Sequence, residues 1–530
     1  MAAVRARLLP RARRLQSSNS LYSKLDGYQK SAVEFAVEAM TAALLFEQGT
    51  GKTWIAGGII ERLFDPSFIG LMVVPLGNLE STWLKFLTSQ LPQVPAYRTW
   101  EAFKVAPVPK LLLVHYEVVA PIISKLRRVK WKFIGYDEAQ RLKNRASLQS
   151  RTAAKLRACA PYKVILTGTP IEENPCDLWA QFKFLRPEVF GDAWKDFANY
   201  YLEPLDPNLE KRFKEARPGS FKWEKAMREM RIANGKRDFD FDKLDEFIDA
   251  ITPYAMRVTK SVLNLPPMTT HRVPVVLRGE QRHLYEDLSR NMVASIAGET
   301  ITAPLRVTLL GRLQQICGGY IVDDLGRSHE AGRAKMRALL RLIKRQPKPI
   351  VVFCRYLEEV WAIRDELHDT TNLRVETLTG KVKIDKRSPL IIEFQAGEID
   401  VLICQIKTGG VGIDLFRATV AIFYSYTYGH IDFDQAMSRL HRRGQEYAVD
   451  LFLIFARNTV DEDILQALMR KRKITSRVLD KLEQQRRNHY GFQKGAHAPR
   501  RRKGIQVRYQ RPREGTRPGA GNRARHAASA

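Results

Sequence analysis

The sequence predicts an α/β fold: two parallel-sheet units, a helical insertion and disordered basic ends. Three observations carry this. Short, continuously apolar runs recur through residues 42–166 and again through 350–424, as strands covered on both faces of a parallel sheet do. Stretches at helical spacing alternate with them, the pattern of a doubly wound sheet. Charge collects at the ends: residues 486–530 carry thirteen Lys/Arg against the single Glu514, and residues 1–24 carry six against no acid.

The whole chain of 530 residues has a formal charge of +30, of which eighteen charges lie in those two ends. A basic body with basic arms implies a polyanionic partner, most simply nucleic acid. Hydrophobic content of 45% is ordinary for a globular protein, so most of the chain should fold. The five cysteines (Cys159, Cys176, Cys317, Cys354, Cys404) are far apart and never form a CxxC pair, which argues against a disulfide framework and a zinc site. No apolar run approaches the ~20 residues of a membrane span. The start, MAAVRARLLPRARRLQSSNS, is Arg- and Ser-rich without acids. That composition also suits a transit peptide. Pro10 interrupts an amphipathic helix there, and a nucleic-acid-contacting arm is the expectation. The boundaries expected are an arm at 1–24, a first unit at 25–265 with the insertion at about 191–250, a second unit at 266–485, and a tail at 486–530.

Taken in order, LDGYQ (Leu25–Gln29) precedes a helical pattern from Lys30 to Met40. The Gln29 amide offers a donor and an acceptor together, as reading an adenine edge requires. Residues 42–46 read as a buried strand, followed by EQGTGKT and a helical run from Trp54 to Leu63. Strand, Gly-rich turn and helix make the context of a phosphate-binding loop. Gly49 and Gly51 let successive N–H groups, that of Thr50 among them, face one anion at a helix N-terminus. Lys52 would reach the β- and γ-phosphates, and the Thr53 hydroxyl would hold Mg²⁺. The strict pattern has glycine where this chain has Phe46.

Residues 69–87 give an apolar strand, a Pro75-Leu76-Gly77 turn and a helix; LLLVHYEVV (111–119) gives a third strand. A fourth, Lys132–Tyr136, runs into Asp137-Glu138-Ala139-Gln140. Asp137 can bind Mg²⁺ through its shell, and Glu138 can orient or deprotonate an attacking water. A fifth, Lys163–Leu166, ends in Thr167-Gly168-Thr169-Pro170. All these residues fall at carboxyl strand ends, where doubly wound sheets bind ligands. From Gly191 to about Ala250 the sequence turns charged and helical, with Trp194, Tyr200, Tyr201, Phe213, Phe221 and Trp223 expected in its core. Leu265-Pro266-Pro267 marks a hinge.

The second unit repeats the alternation, with strands near 350–353, 374–378, 401–404 and 420–424 and helices near 335–345, 357–368 and 389–394. Its far end holds KTGGVGID (407–414) and QAMSRLHRRGQ (435–445). Arg439 and Arg442 are three apart on a predicted helix and share a face. In a unit without a phosphate loop, that arrangement suits delivery of positive charge to a γ-phosphate held elsewhere. From Arg486 the chain is Arg/Gly/Pro-rich and expected to be disordered when free.

With these residues in order, the chain resembles the SWI/SNF-type ATPases of helicase superfamily two from Leu25 to about Lys473. LDGYQ is similar to the adenine-reading Q motif, and EQGTGKT to the family's phosphate loop, which also commonly lacks the first glycine. VVPLGNLESTW, LLLVHYEVV and YDEAQRLKN resemble motif Ia, motif Ib and the DEAH-type box. ILTGTPIEENPCDLWAQFKFLRP resembles the stretch that separates this family from most other helicases. LPP, LQQIC and KTGGVGIDL also fit, and QAMSRLHRRGQ resembles motif VI. Two departures stand out. Gln140 replaces the family's usual His, and Ser425, Tyr428, Gly429 and His430 replace its usual Asp, Trp, Asn and Pro.

The resemblance implies two RecA-like lobes and a DNA-stimulated ATPase that translocates on double-stranded DNA with ATP and Mg²⁺. Glu138, Asp137, Lys52, Arg439 and Arg442 would carry the chemistry. Gln29, Gly49, Thr50, Gly51, Lys52, Thr53, Gly412 and Asp414 would hold nucleotide, Thr53 and Asp137 the metal, and Pro75 and Thr408 nucleic-acid phosphates. A strand-separating DNA or RNA helicase is the rival within the class; the GTP spelling of motif III disfavours it. A nucleic-acid-binding scaffold on a weak engine is the rival outside it. No bromodomain, chromodomain, nuclease or zinc module is recognisable, so remodelling of nucleosomes is not implied; the expected form is a compact bacterial, phage or fork-remodelling type, monomeric on DNA, with its protein partners left open. The expected location is the cytoplasm or nucleoid, the cytoplasm of a phage-infected host, or a eukaryotic nucleus.

Overall fold

The computed structural model of the chain describes residues 20–490 apart from 173, 205–207, 210, 212–214, 216–237, 299–302, 324, 383 and 407–412. The first sheet is built from β1 (Thr41–Phe46), β2 (Ile69–Val74), β3 (Ala96–Tyr97), β4 (Lys110–His115), β5 (Phe133–Asp137), β6 (Tyr162–Thr167) and β7 (Ala255–Val258). Its order is β3-β4-β2-β5-β6-β1-β7, and every pair is parallel. Register sets Leu45 beside Thr167, and Asp137 beside Leu166. The ends of β1, β5 and β6 therefore share one edge. Residues of β1, β5 and β6 are all buried, which is why these strands read as unbroken apolar runs.

Helices α1 (Gly27–Ala39), α2 (Lys52–Leu63), α3 (Leu148–Leu156), α4 (Asp177–Leu185), α5 (Trp194–Tyr201) and α6 (Leu244–Ile251) cover this sheet or extend it. Several boundaries differ from the sequence expectation for local reasons. A capping box between Asp26 and Gln29 starts α1 at Gly27, three residues early. The expected strand 111–119 ends at His115, and Tyr116–Val119 is a helical turn. That turn carries the buried Tyr116 hydroxyl to the Asp137 carbonyl at 2.7 Å. In the insertion, Phe190, Phe197, Tyr201, Phe239 and Phe247 pack ring to ring, with Phe190 and Phe247 stacked at 4.8 Å. Trp194 joins them, Tyr200 is exposed, and Phe213, Phe221 and Trp223 lie outside the described residues. The chain then returns through α6 to add β7 beside β1, a strand the periodicity alone did not reveal.

The second sheet takes β8 (Met268–Val275), which begins directly after Pro267, beyond a gap of nine residues from β7. After α7 (Gly279–Gly298) and α8 (Ala303–Gly318), a small hairpin pairs β9 (Tyr320–Val322) with β10 (Ser328–Glu330). Then come α9 (Ala334–Arg345), β11 (Ile350–Cys354), α10 (Leu357–Thr370), β12 (Val375–Leu378), α11 (Ile384–Ala396), β13 (Val401–Gln405), β14 (Val420–Phe423), α12 (His430–Leu440), β15 (Val449–Ala456) and α13 (Val460–Tyr490). The order is β12-β13-β11-β14-β15-β8, again parallel throughout. Two parallel sheets with flanking helices make two RecA-like lobes. β8 escaped the sequence reading because it is an edge strand, half exposed and interrupted by Pro274.

The last helix corrects the expected tail boundary. α13 continues through Arg486 to Tyr490 and packs against the first lobe. Val478, Leu479 and Leu482 are buried in the core that also holds Phe182 and Phe247. Burial of that kind stabilises by about 1.5–3 kcal/mol per side chain. Asp480 pairs with the buried Arg257 at 2.5 Å, and Arg486 donates to the Ala255 carbonyl at 3.0 Å. Among the described residues no helix is long and apolar enough to cross a membrane.

Candidate functional site

The loop 47–51 joins β1 to α2. Gly49 and Gly51 hold φ of +87° and +80°, conformations a side chain would strain. Gly51 has a second constraint, since a Cβ there would lie 2.3 Å from Gln29 Nε2. The Gln29 amide is spent inside the protein: its oxygen accepts from Asp26 N at 2.9 Å and its nitrogen donates to the Thr50 carbonyl at 3.2 Å. Tyr28 donates to the same carbonyl at 2.9 Å. In this arrangement Gln29 braces the loop from behind. Lys52 opens α2, and its ammonium rests on the Phe46 carbonyl at 3.1 Å; Thr53 is half-buried beside it.

Asp137 is the last residue of β5 and is 5% exposed. Trp83 Nε1 donates to its Oδ2 at 2.8 Å, and the Glu138 N–H to its Oδ1 at 3.0 Å. Burial, followed by the neighbouring Glu138 charge, pushes the Asp137 carboxyl up to about 6, with Lys52 opposing. Glu138 sits in the left-handed region at φ +50°, ψ +52°. For a non-glycine residue that costs about 1–3 kcal/mol and needs surroundings that enforce it. Here Arg141 N and the Tyr116 hydroxyl donate to the Glu138 carbonyl. Its side chain is also held: Gln140 Nε2 donates to Glu138 Oε2, and Thr167 Oγ1 donates to Gln140 Oε1.

The second lobe closes this edge. A Cβ on Gly49 would lie 3.5 Å from Arg442 Cβ, so α12 ends directly against the loop. Ser438 hydrogen-bonds Gln48, Lys260 Nζ donates to the His441 carbonyl at 3.0 Å, and Arg443 pairs with Asp26 at 2.6 Å. Arg442 pairs with Asp414, while Asp434 takes Arg472 at 2.8 Å. Arg439 is pulled down to about 10, mainly by burial and by the adjacent Arg442; Glu138 and Asp414 act the other way. Glu138 and Arg439, three hundred residues apart, thus feel each other's charge.

Twelve of the residues singled out from the sequence are described, and those at the loop, the Asp-Glu pair and the end of α12 meet at one place. Pro75 caps the short helix after β2 on the same sheet edge. Thr408 and Gly412 lie outside the described residues. Asp414 is engaged with Arg442. Sequence reasoning missed Trp83, Tyr116 and Arg443 as parts of the site. Trp83 and Tyr116 sat inside stretches quoted for their resemblance, but nothing in spacing says that an indole meets the Asp137 carboxylate or a phenol its backbone carbonyl.

The donor set fits Mg²⁺. Among the described residues no cluster of three His, Cys, Asp or Glu could hold a metal alone. One hydroxyl (Thr53), one carboxylate (Asp137) and a phosphate-binding loop are the donors this cation takes when substrate phosphates complete its shell. A carboxyl pushed up by burial and a like charge is one that a cation would bring back to its ionised form.

Residues 28–319 match the family model of the SNF2-related domain, and residues 334–444 that of the helicase conserved C-terminal domain. A Bacillus subtilis protein named as a candidate ATP-dependent helicase/translocase is 26% identical over 382 residues, covering 70% of this chain and 38% of its own length. An uncharacterized ATP-dependent helicase of Mycoplasma genitalium is 26% identical over 493 residues, covering 88% and 43%. The chromatin structure-remodeling complex subunit snf21 of Schizosaccharomyces pombe is 25% identical over 504 residues, covering 88% and 40%. The chain thus spans about two fifths of the length of these curated relatives. A solved SWI2/SNF2 ATPase core of Sulfolobus solfataricus in complex with dsDNA is 23% identical, with 89% of this chain and 96% of that one covered and a TM-score of 0.39.

Proposed function

The chain belongs to the SNF2-related family of helicase-like ATPases, and we propose that it hydrolyses ATP between its two lobes to move along double-stranded DNA. The observation that carries this reading is the contact of Arg442 with Gly49. It sets an arginine just beyond the end of α12, in the second lobe, beside the glycine loop of the first. The net charge of +30 and the relative assigned to chromatin remodelling support a DNA partner.

In this reading the loop 49–51 wraps the β- and γ-phosphates with backbone N–H groups, and Lys52 leaves the Phe46 carbonyl to reach them. Thr53 and Asp137 would hold Mg²⁺, which supplies Lewis-acid charge at the phosphates. Glu138, fixed by Gln140, orients the attacking water and takes its proton. Arg439 and Arg442 stabilise charge on the transferred phosphoryl group as the lobes close. Arg442 must then exchange Asp414 for phosphate oxygens, so Asp414 stores the arginine between turnovers. Pro75 and Thr408 are assigned to the nucleic-acid backbone, whose phosphates carry no sequence information. A motor that moves over any sequence needs such contacts.

The test is the ATPase rate with no nucleic acid, single strands, duplex DNA and duplex RNA in parallel, for the parent and Glu138→Gln. Stimulation by duplex DNA, with ATP bound but not turned over by Glu138→Gln, is expected. Stimulation by RNA duplex alone, or a Glu138→Gln variant at parental rate, would overturn the assignment.

A further inference from the structure

Away from the nucleotide site, a cavity of about 280 Å³ opens between α3, α4 and the start of α5. It is lined by Arg145, Arg151, Lys183, Trp179 and Trp194, with the buried Ser150 at its base. The two indoles meet edge to face at 5.3 Å. Each carries a cation: the Arg145 guanidinium lies 4.4 Å from the Trp194 ring centre, and the Lys183 ammonium 4.7 Å from that of Trp179. Lys183 is committed to the Asp192 carbonyl at 2.8 Å. No ion pair with a carboxylate engages Arg145 or Arg151 among the described residues, and both are exposed. Trp179 is 3% exposed, yet its Nε1–H is buried without an acceptor.

We propose that this cavity binds one unpaired nucleotide of a nucleic-acid strand, with its phosphate on Arg145 and Arg151. Negative charge is what the two exposed guanidiniums lack. An arginine held over an indole presents a planar set of donors, which suits phosphate oxygens. The volume lies just below the about 300–1,000 Å³ usual for small-molecule sites, which restricts the occupant to a small group. The basic tail is excluded as occupant by its own charge, since residues 491–530 carry eleven Lys/Arg against Glu514. The position also gives the site a route to the chemistry. Arg145 lies seven residues after Glu138, and Gln181 of α4 donates to the Pro170 carbonyl at 2.8 Å, just beyond Thr167 and Thr169. The choice of a nucleic-acid occupant rests on the function proposed above.

The experiment uses the full chain and its Arg145→Glu/Arg151→Glu variant. Binding is measured by tryptophan fluorescence and anisotropy, with blunt duplex DNA, duplex with a single-stranded flank, inorganic phosphate and an acidic peptide. The parent should bind the flanked duplex more tightly than the blunt one. The variant, with an unchanged melting temperature, should lose that preference, and its log–log salt slope should fall by about 1.4 for two single-strand contacts. Trp194→Phe should lose the flank-dependent quench. Parental binding with no difference between variant and parent would overturn the site alone. Failure of the parent to bind any nucleic acid would overturn the function as well. Displacement by inorganic phosphate or the acidic peptide as effective as by the flank would show a general anion site and overturn the assignment.

Discussion

Gln140 ties Glu138 to Thr167: its amide nitrogen donates to Glu138 Oε2 at 2.8 Å, and its amide oxygen accepts from Thr167 Oγ1 at 2.6 Å. Thr167 Oγ1 in turn accepts from Thr169 N at 3.1 Å. The glutamine therefore links the end of β5 to the loop after β6 through one buried amide. Its two-sided chemistry is what the position uses.

Gln140→Leu should keep the fold and nucleotide binding but lower turnover about tenfold or more. A hydrogen bond to a charged group is worth about 1.5–3 kcal/mol, and 1.36 kcal/mol is a factor of ten in rate. Gln140→His should retain more activity than Gln140→Leu, because a neutral imidazole also offers one donor and one acceptor. Single-turnover hydrolysis on saturating duplex DNA separates the two.

Arg442→Ala should bind ATP and DNA much as the parent does and lose roughly 10³-fold or more in turnover. Arg442→Lys should rescue poorly, because one ammonium cannot reproduce the planar donor pair. A purely structural arginine predicts the opposite: a lowered melting temperature with hydrolysis intact in the folded fraction. Both quantities are measured on the same preparation.

Asp137 gives a pH dependence with a definite sign. Its carboxyl is raised from 3.8 to about 6 in the folded chain. The stability linked to its protonation is fully present below about pH 4 and is lost as pH rises through about 6. Without nucleotide, Asp137→Asn should therefore be more stable than the parent at pH 8, by up to about 2 kcal/mol after loss of one acceptor. That advantage should shrink between pH 6 and 4. Thermal melts across this range check it; an advantage constant with pH would exclude the carboxylate as its source. Saturating Mg²⁺ and nucleotide should diminish the difference, since a cation relieves the same repulsion.

Leu482→Ala should destabilise the first lobe by about 2–5 kcal/mol, although residue 482 follows the second lobe in sequence. Truncation after Tyr490 should leave the melting temperature unchanged and flatten the salt dependence of DNA binding, each lost contact removing about 0.9 from the slope. An unchanged slope would mean that the eleven cations beyond residue 490 serve something other than DNA.

The sequence revealed most about strands buried on both faces and about residues at their carboxyl ends. Phe46, Asp137 and Thr167 could be placed because a continuous apolar run stops where they begin or end. Edge strands were less legible: β8 mixes Thr, His, Arg and Pro with apolar residues because solvent takes one side. Partnerships across elements were not legible at all. Trp83 with Asp137, and Arg443 with Asp26, join residues 54 and 417 positions apart. No local period encodes such a meeting. Gln29 shows a second partnership that went unread, since the amide expected to read a base also accepts from Asp26 N and donates to the Thr50 carbonyl. Its capping-box spacing to Asp26 was visible in LDGYQ and would have started the helix three residues earlier.

The return of α13 onto the first lobe has a mechanical consequence. The lobes are joined covalently by the nine residues between Val258 and Met268, and again by a helix anchored through Val478, Leu479, Leu482 and Arg486. Two bodies tied at a single point can swivel in three directions and drift apart by the length of the tether. Tied at two, they keep one easy rotation, about the line through the ties. Opening and closing of the nucleotide cleft is then a door on two hinges, and its swing is fixed by where α13 lands.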